Sequence, residues 1–390
     1  MISKNHAALS VFFVVTQIGA WTGCNAIIGN GYGVDDPEAA GDGSPSTDDD
    51  GSTAADALAD GATDMDGTTT MDGGAVDAFR SDGEVLDTGV DSGCPDNLCP
   101  TKLAVATGPQ RIALSAAGVY WVTATSVHYV DLALSVSNLA LAGVVGTGLK
   151  RGLTVAGGVP YVTNPDAAGH GAGQCPAGLG GGCTAFVGSA GFASSVTTDG
   201  TNIYVGIFDD GSTAHGGGIW RTALNGTSAA PYTLMTDKVL DVQIIAGPVT
   251  YFRTSTGVLF DTISTAPASA ASLGTELPLA FVVHGGKLIV ATNGNALRIC
   301  GLAPSCTLLP LQNTSAPPTA VIADDTYIYW AEGTTNGSIH RCDFSGCANS
   351  KVIAVGQSSP NDLATDGTYV YWSNFGSGTV ADGAIMKRLR

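Results

Sequence analysis

An all-β fold is what this 390-residue chain predicts, and three features predict it. Turn formers are abundant, with 54 Gly and 17 Pro. Charged residues make up only 13%, against roughly a quarter in ordinary soluble domains. Short alternating apolar segments recur throughout residues 94–390, and no stretch of helical period competes with them.

The formal net charge of −18 is carried unevenly. Asp35 to Asp91 contains 17 acidic residues and one basic residue, Arg80, whereas Cys94 to Arg390 contains 17 acidic and 14 basic residues. An acidic tail on a nearly neutral body argues against nucleic acid as a partner.

Residues 1–23 read as a secretory signal: Lys4 and His6, the apolar run Ala7–Ala20, then Trp21-Thr22-Gly23 before Cys24. The 14-residue run falls short of the roughly 20 residues that span a bilayer. Cys24 follows a small residue and resembles the lipobox cysteine of bacterial lipoproteins. That resemblance implies cleavage before Cys24, its acylation, and export to the cell envelope. The anchor would then sit in the outer membrane, with the body facing the periplasm or the cell surface.

Residues 24–93 are mostly Asp, Gly, Ala, Ser and Thr, too poor in apolar surface to offset chain entropy, so a disordered tether is expected. A flexible coil of this length spans about 45 Å, enough to hold a domain clear of a membrane. Asp48-Asp49-Asp50-Gly51 and Asp64-Met65-Asp66-Gly67 invite a calcium-loop reading but lack the alternating oxygens and the closing Glu of an EF-hand.

The body repeats one frame seven times: an apolar stretch, a tight turn, alternating aromatics and a polar break. The C-terminal copy reads NDLATDGTYVYWSN at 361–374, and earlier copies include AVIADDTYIYWAE at 320–332 and RIALSAAGVYWVT at 111–123. Anchored on Gly118, Gly158, Gly200, Gly247, Gly286, Asp325 and Gly367, the spacings are 40, 42, 47, 39, 39 and 42. Two further segments follow in each copy, such as GSIHRC at 337–342 and KVIAVG at 351–356. Four short strands at a period near 42 predict a seven-bladed β-propeller. The last copy ends after its third strand, and Cys94 to Thr107 matches the end of the sixth copy. The strand Lys102–Thr107 is therefore expected to complete the seventh blade and close the ring.

Tyr120-Trp121, Tyr329-Trp330 and Tyr371-Trp372 resemble the second-strand signature of YWTD and NHL-like propellers. The resemblance spans roughly residues 100–390 and implies the fold, with little about activity.

Nine cysteines divide into Cys24 alone and four near neighbours: Cys94/Cys99, Cys175/Cys183, Cys300/Cys306 and Cys342/Cys347. In an exported chain these read as four local disulfides. Zinc is the rival reading, but the pairs fall on different copies. No metal or cofactor is expected.

For chemistry, the five body histidines, His128, His170, His215, His284 and His340, fall on separate copies or loops, and no nucleophile elbow or phosphate loop occurs. Propeller enzymes of the lactonase type hold a divalent cation with carboxylates at the channel mouth. Here the first strands begin with Gln110, Arg111, Arg151, Ser194, Asp241, Pro318, Asn361 and Asp362, two acids among two arginines and a poor cation cage. The expectation is a monomeric, lipid-anchored module that binds or scaffolds a protein or glycan, with an envelope hydrolase or lyase as the alternative. Long loops after the second strands place the candidate binding rim at His170, Asp209, Asp210, His215, Asn336, Asn374, Phe375 and Asp382.

Overall fold

A computed structural model describes residues 99–390 except 134–151, 164–170, 181, 186–191, 210–216, 228–229, 236–237, 246–248, 255–256, 263–267, 273–274, 303–305 and 334. The signal segment, Cys24, the tether and Cys94 lie outside the described residues.

The fold is an all-β propeller. Apart from a single 3-10 turn, Ala177–Leu179, the regular elements among the described residues are strands. They form seven sheets, each starting on the first strand of one sequence copy and running antiparallel outwards. The first strands are Arg111–Leu114, Leu153–Ala156, Phe192–Thr198, Val239–Ile245, Pro278–His284, Pro318–Ala323 and Pro360–Thr365. Six sheets have the four or more strands of a full blade. The sheet of copy one has three, and the segment expected to supply its fourth falls within 134–151. In copy seven the outermost strand is Thr101–Ala106, which pairs antiparallel with Gly383–Leu389. In copy four the outer strand Ala268–Ser272 gains a parallel neighbour, Cys306–Thr307, from the next copy.

The repeat arises from a local lock at the first turn. In copies three, six and seven an aspartate begins the turn. One oxygen of Asp366 accepts the N–H of Thr368 (2.8 Å) and of Tyr369 (2.7 Å), while the other accepts the Tyr371 hydroxyl (2.9 Å). Asp199 does the same with Thr201, Asn202 and Tyr204, and Asp324 with Thr326, Tyr327 and Tyr329. The side chain thus fixes the turn and ties it to the second strand. Gly200 and Gly367 sit at φ of 85° and 82°, a region that favours glycine. In copy one Ser115 replaces the aspartate and accepts the Gly118 N–H at 3.0 Å.

The second strands fill the space between sheets. Trp121, Trp330 and Trp372 are almost fully buried. Ala320, Tyr329, Ala331 and Ile339 of copy six pack on Leu363, Val370 and Trp372 of copy seven. Ile112, Val119 and Trp121 of copy one pack on Tyr371 and Ile385, and Ala104 and Ala106 of the N-terminal strand join this core. The first strands neighbour one another in copy order, and the first strand of copy seven returns to that of copy one.

Three of the expected disulfides are formed: Cys175–Cys183, Cys300–Cys306 and Cys342–Cys347. Cys99 is half-buried, and its expected partner Cys94 is outside the described residues. Disulfides of this kind suit an oxidising, exported environment. No helix among the described residues is long and apolar enough to cross a membrane.

Deleting residues 94–107 removes a paired strand and two core alanines, whereas deleting 30–90 removes neither. The first truncation should lower the melting temperature well beyond the second; equal midpoints in thermal melts would contradict the role given to Thr101–Ala106.

Candidate binding face at the channel mouth

A first strand is the innermost edge of its sheet, so its inward N–H and C=O groups have no further strand to pair with. In copies three, four, six and seven polar side chains on the first strands, joined by Arg253 near the end of a second strand, answer this. Ser194 Oγ donates to the Val239 carbonyl of the next copy at 2.6 Å. Gln243 donates to the Phe281 carbonyl at 2.6 Å and accepts the Val283 N–H at 3.0 Å. The buried Arg253 donates to the Pro278 carbonyl at 3.3 Å, and Thr319 Oγ1 to the Pro360 carbonyl at 2.7 Å. Asn361 donates to the Gln110 carbonyl at 2.8 Å, and Asp362 Oδ2 accepts the Ile112 N–H at 2.9 Å. Each of these contacts reaches forward, from one copy to the next.

One residue reaches across. Arg111 Nη2 lies 3.4 Å from Asp241 Oδ2 and Nη1 lies 3.4 Å from Asp362 Oδ1, joining copies one, four and seven. Burial works against the charge of Arg111, but the two carboxylates outweigh it and its pKa is raised. Burial pushes the Asp362 carboxyl above the usual range, opposed by Arg111 and by the Ile112 N–H. The cluster borders a cavity of about 320 Å³ lined by the first strands of all seven copies, the central channel. Arg111 pairs with Val122, and Asp362 with Ser373, both near the ends of second strands. The cluster therefore lies at the channel mouth on the side where the loops between second and third strands emerge.

Arg151 lies outside the described residues. Among the described residues, no three His, Cys, Asp or Glu side chains are placed together to hold a metal ion. With both acids already engaged by Arg111, the mouth offers fixed charge and hydrogen-bonding groups around a polar opening.

The rim residues separate into distinct kinds. Asn336 is exposed at the hairpin between second and third strands of copy six. Asn374 is buried and donates to Gln357 Oε1 at 2.9 Å, beside the Trp372 indole N–H that donates to the same oxygen at 2.8 Å. Phe375 is half-buried, its ring lying over Gly378 and Gly108, where added Cβ atoms would come within 2.4 and 3.2 Å. Asp382 is exposed and staples its own loop by accepting the Ser377 N–H at 3.0 Å, which holds its carboxyl below the usual range. Asp209 ends the second strand of copy three. His170, Asp210 and His215 fall outside the described residues.

Two histidines are cross-strand partners of tryptophans. His128 stacks on Trp121 with centroids 5.2 Å apart, and burial pushes its pKa down to about 4. His340 stacks on Trp330 at 5.0 Å, and its Nε2 lies 2.7 Å from Ser338 Oγ and 3.4 Å from Glu332 Oε1. Burial lowers its pKa while Glu332 opposes the shift. The buried Glu332 also accepts from Trp330 and Ser315, tying the link between copies five and six to the Trp. His284 Nε2 lies 2.8 Å from Asp325 Oδ1, joining the first turns of copies five and six. Sequence reasoning missed Gln243 and Thr319 on first strands, Arg253 and Glu332 near the ends of second strands, and Gln357 at the end of a fourth strand.

No family model matches this chain, and no curated protein matches it. Solved structures do resemble it. Virginiamycin B lyase from Staphylococcus aureus has 14% identity and a TM-score of 0.60, over 75% of this chain and 99% of that one. The WD40 β-propeller domain of Doa1 has 9% identity and a TM-score of 0.58, over 74% and 96%. The computationally designed protein Ika8 has 11% identity and a TM-score of 0.53, over 74% and 98%. At these identities the likeness is one of fold.

Replacing Asp362 by Ala leaves Arg111 with Asp241 alone and the Ile112 N–H without its acceptor, and should cost about 2–4 kcal/mol in chemical denaturation. Adding Arg111→Met should recover part of that loss; strictly additive costs would mean the pair carries no coupling.

His128 gives a pH signature of defined sign. Its folded value near 4 lies below the roughly 6.5 of an unfolded histidine. Its contribution is therefore complete above pH 6.5 and is lost as pH falls toward 4, about 3 kcal/mol in all. Denaturation of His128→Phe at pH 7 and pH 4 should lack that portion of the acid-side slope.

Proposed function

We propose that this chain is an exported, lipid-anchored, seven-bladed propeller that presents its channel-mouth face to a protein or glycan and acts as a monomeric binding or scaffolding module. The unbroken circle of neighbouring first strands supports seven blades. The pairing of Thr101–Ala106 with Gly383–Leu389 supports closure by the N-terminal strand. Export draws on the signal-like segment and the local disulfides, and anchoring draws on Cys24.

The observation that carries binding over catalysis is the engagement of both channel-mouth carboxylates by Arg111. Carboxylates neutralised in this way shape and polarise an opening rather than serve as a base or a cation cage. The rim then presents exposed Asn336, with His170, Asp210 and His215 assigned to the same edge. The packing of Phe375 and Asn374 gives these two a supporting part in the rim. An envelope hydrolase or lyase, lactonase-like or glycan-directed, is the alternative, and it rests on likeness of fold alone.

One preparation of membrane-extracted protein tests the proposal. Mass spectrometry should find the chain starting at a diacylglyceryl-modified Cys24. Glycan and peptide arrays should yield a ligand that Asn336→Ala/His215→Ala loses without a change in melting temperature. An unmodified start elsewhere rejects the anchor. Full affinity in the double variant, or turnover of an ester, lactone or glycan substrate, rejects the binding reading.

A further inference from the structure

The outer wall of the last two sheets is unlike the rest of the body. The two outermost strands of copy six, Gly337–Asp343 and Lys351–Gln357, and of copy seven, Gly383–Leu389 and Thr101–Ala106, carry Arg341, Lys351, Lys387, Arg388 and Lys102 against a single acid, Asp343. These are five of the 14 basic residues in a body with an excess of acid. On the same outermost strands Val105, Val352 and Val355 are 52%, 53% and 73% exposed.

The chain arrives at this wall from outside the described residues. Thr101–Ala106 is the outermost strand of copy seven, and the segment before it holds Asp77, Asp82, Glu84, Asp87 and Asp91 around the single Arg80. The same segment carries its own apolar residues, Phe79, Val85 and Leu86. The segment is complementary to the wall in charge and in apolar content, and covalent attachment a few residues away makes its local concentration high. We propose that residues 77–91 dock on this outer wall, so that the chain preceding the propeller serves in part as an intramolecular cover for the basic and apolar strands of copies six and seven. The inference is independent of lipidation and of the partner at the channel mouth.

Arg80 supplies the reporter, since residues 25–98 contain no other Lys or Arg and trypsin can cut this segment only after it. In the full-length protein, cleavage at Arg80 should be slow in about 20 mM salt and faster in about 500 mM salt, where the Debye length shrinks several-fold. A free peptide of residues 75–93 corrects for any effect of salt on trypsin itself. At low salt, Lys102→Glu/Lys351→Glu should speed cleavage about threefold, the scale of two exposed ion pairs. Val352→Thr/Val355→Thr should also speed it, with melting temperatures unchanged in both variants. Small-angle scattering gives an independent sign: a free acidic coil contracts as salt screens its self-repulsion, whereas a docked one expands on release. Equal cleavage rates in parent and variants overturn the proposal, as does contraction with salt. Protection that grows with protein concentration overturns it in favour of a second copy.

Discussion

The structure turns on how seven innermost strand edges are satisfied without a further strand to pair them. The solution is forward reach: Ser194, Gln243, Arg253, Thr319, Asn361 and Asp362 each bond the backbone of the following copy. Burial between sheets supplies most of the favourable free energy, but apolar contact is not directional. These hydrogen bonds are directional links between copies three and four, four and five, six and seven, and seven and one, and Arg111 braces the ring across its opening. The channel-mouth polarity is therefore part of the construction of the ring, and any recognition at the mouth works with groups the fold has already committed.

The fold was largely legible because its signal is repetition. Turn residues such as Asp366 and Gly367, followed by Tyr371 and Trp372, recur at a spacing that few architectures share, and the structure explains why: aspartate, turn and tyrosine form one hydrogen-bonded unit. Three cysteine pairings were legible for the same local reason, each closing a short loop of five to eight positions along the chain. Copy one shows the limit, since its third strand leads into residues where no fourth strand is described.

The mouth was less legible. Its residues were found by position, as beginnings of first strands, but their partners lie up to 251 positions away. Nothing in the sequence pairs Arg111 with Asp241 and Asp362. The supporting groups are harder still, because one role is filled from different places: Glu332, at the end of the second strand of copy six, receives the indole of Trp330, whereas Gln357, at the end of the fourth strand of copy six, receives that of Trp372 in copy seven. The half-buried loop residue Phe375 likewise could not be known from sequence to fold back over Gly378.

The forward contacts run one way around the ring, from copy three to four, four to five, six to seven and seven to one. Opened between copies seven and one, the chain would expose Asn361 and Asp362 at one end and the backbone of Gln110 and Ile112 at the other, with Thr101–Ala106 detached from Gly383–Leu389. Those ends are complementary but not identical, so two opened molecules join head to tail. Such contacts propagate unless rotation closes them. The seam between copies seven and one is thus a surface that, left open, would recruit a second molecule.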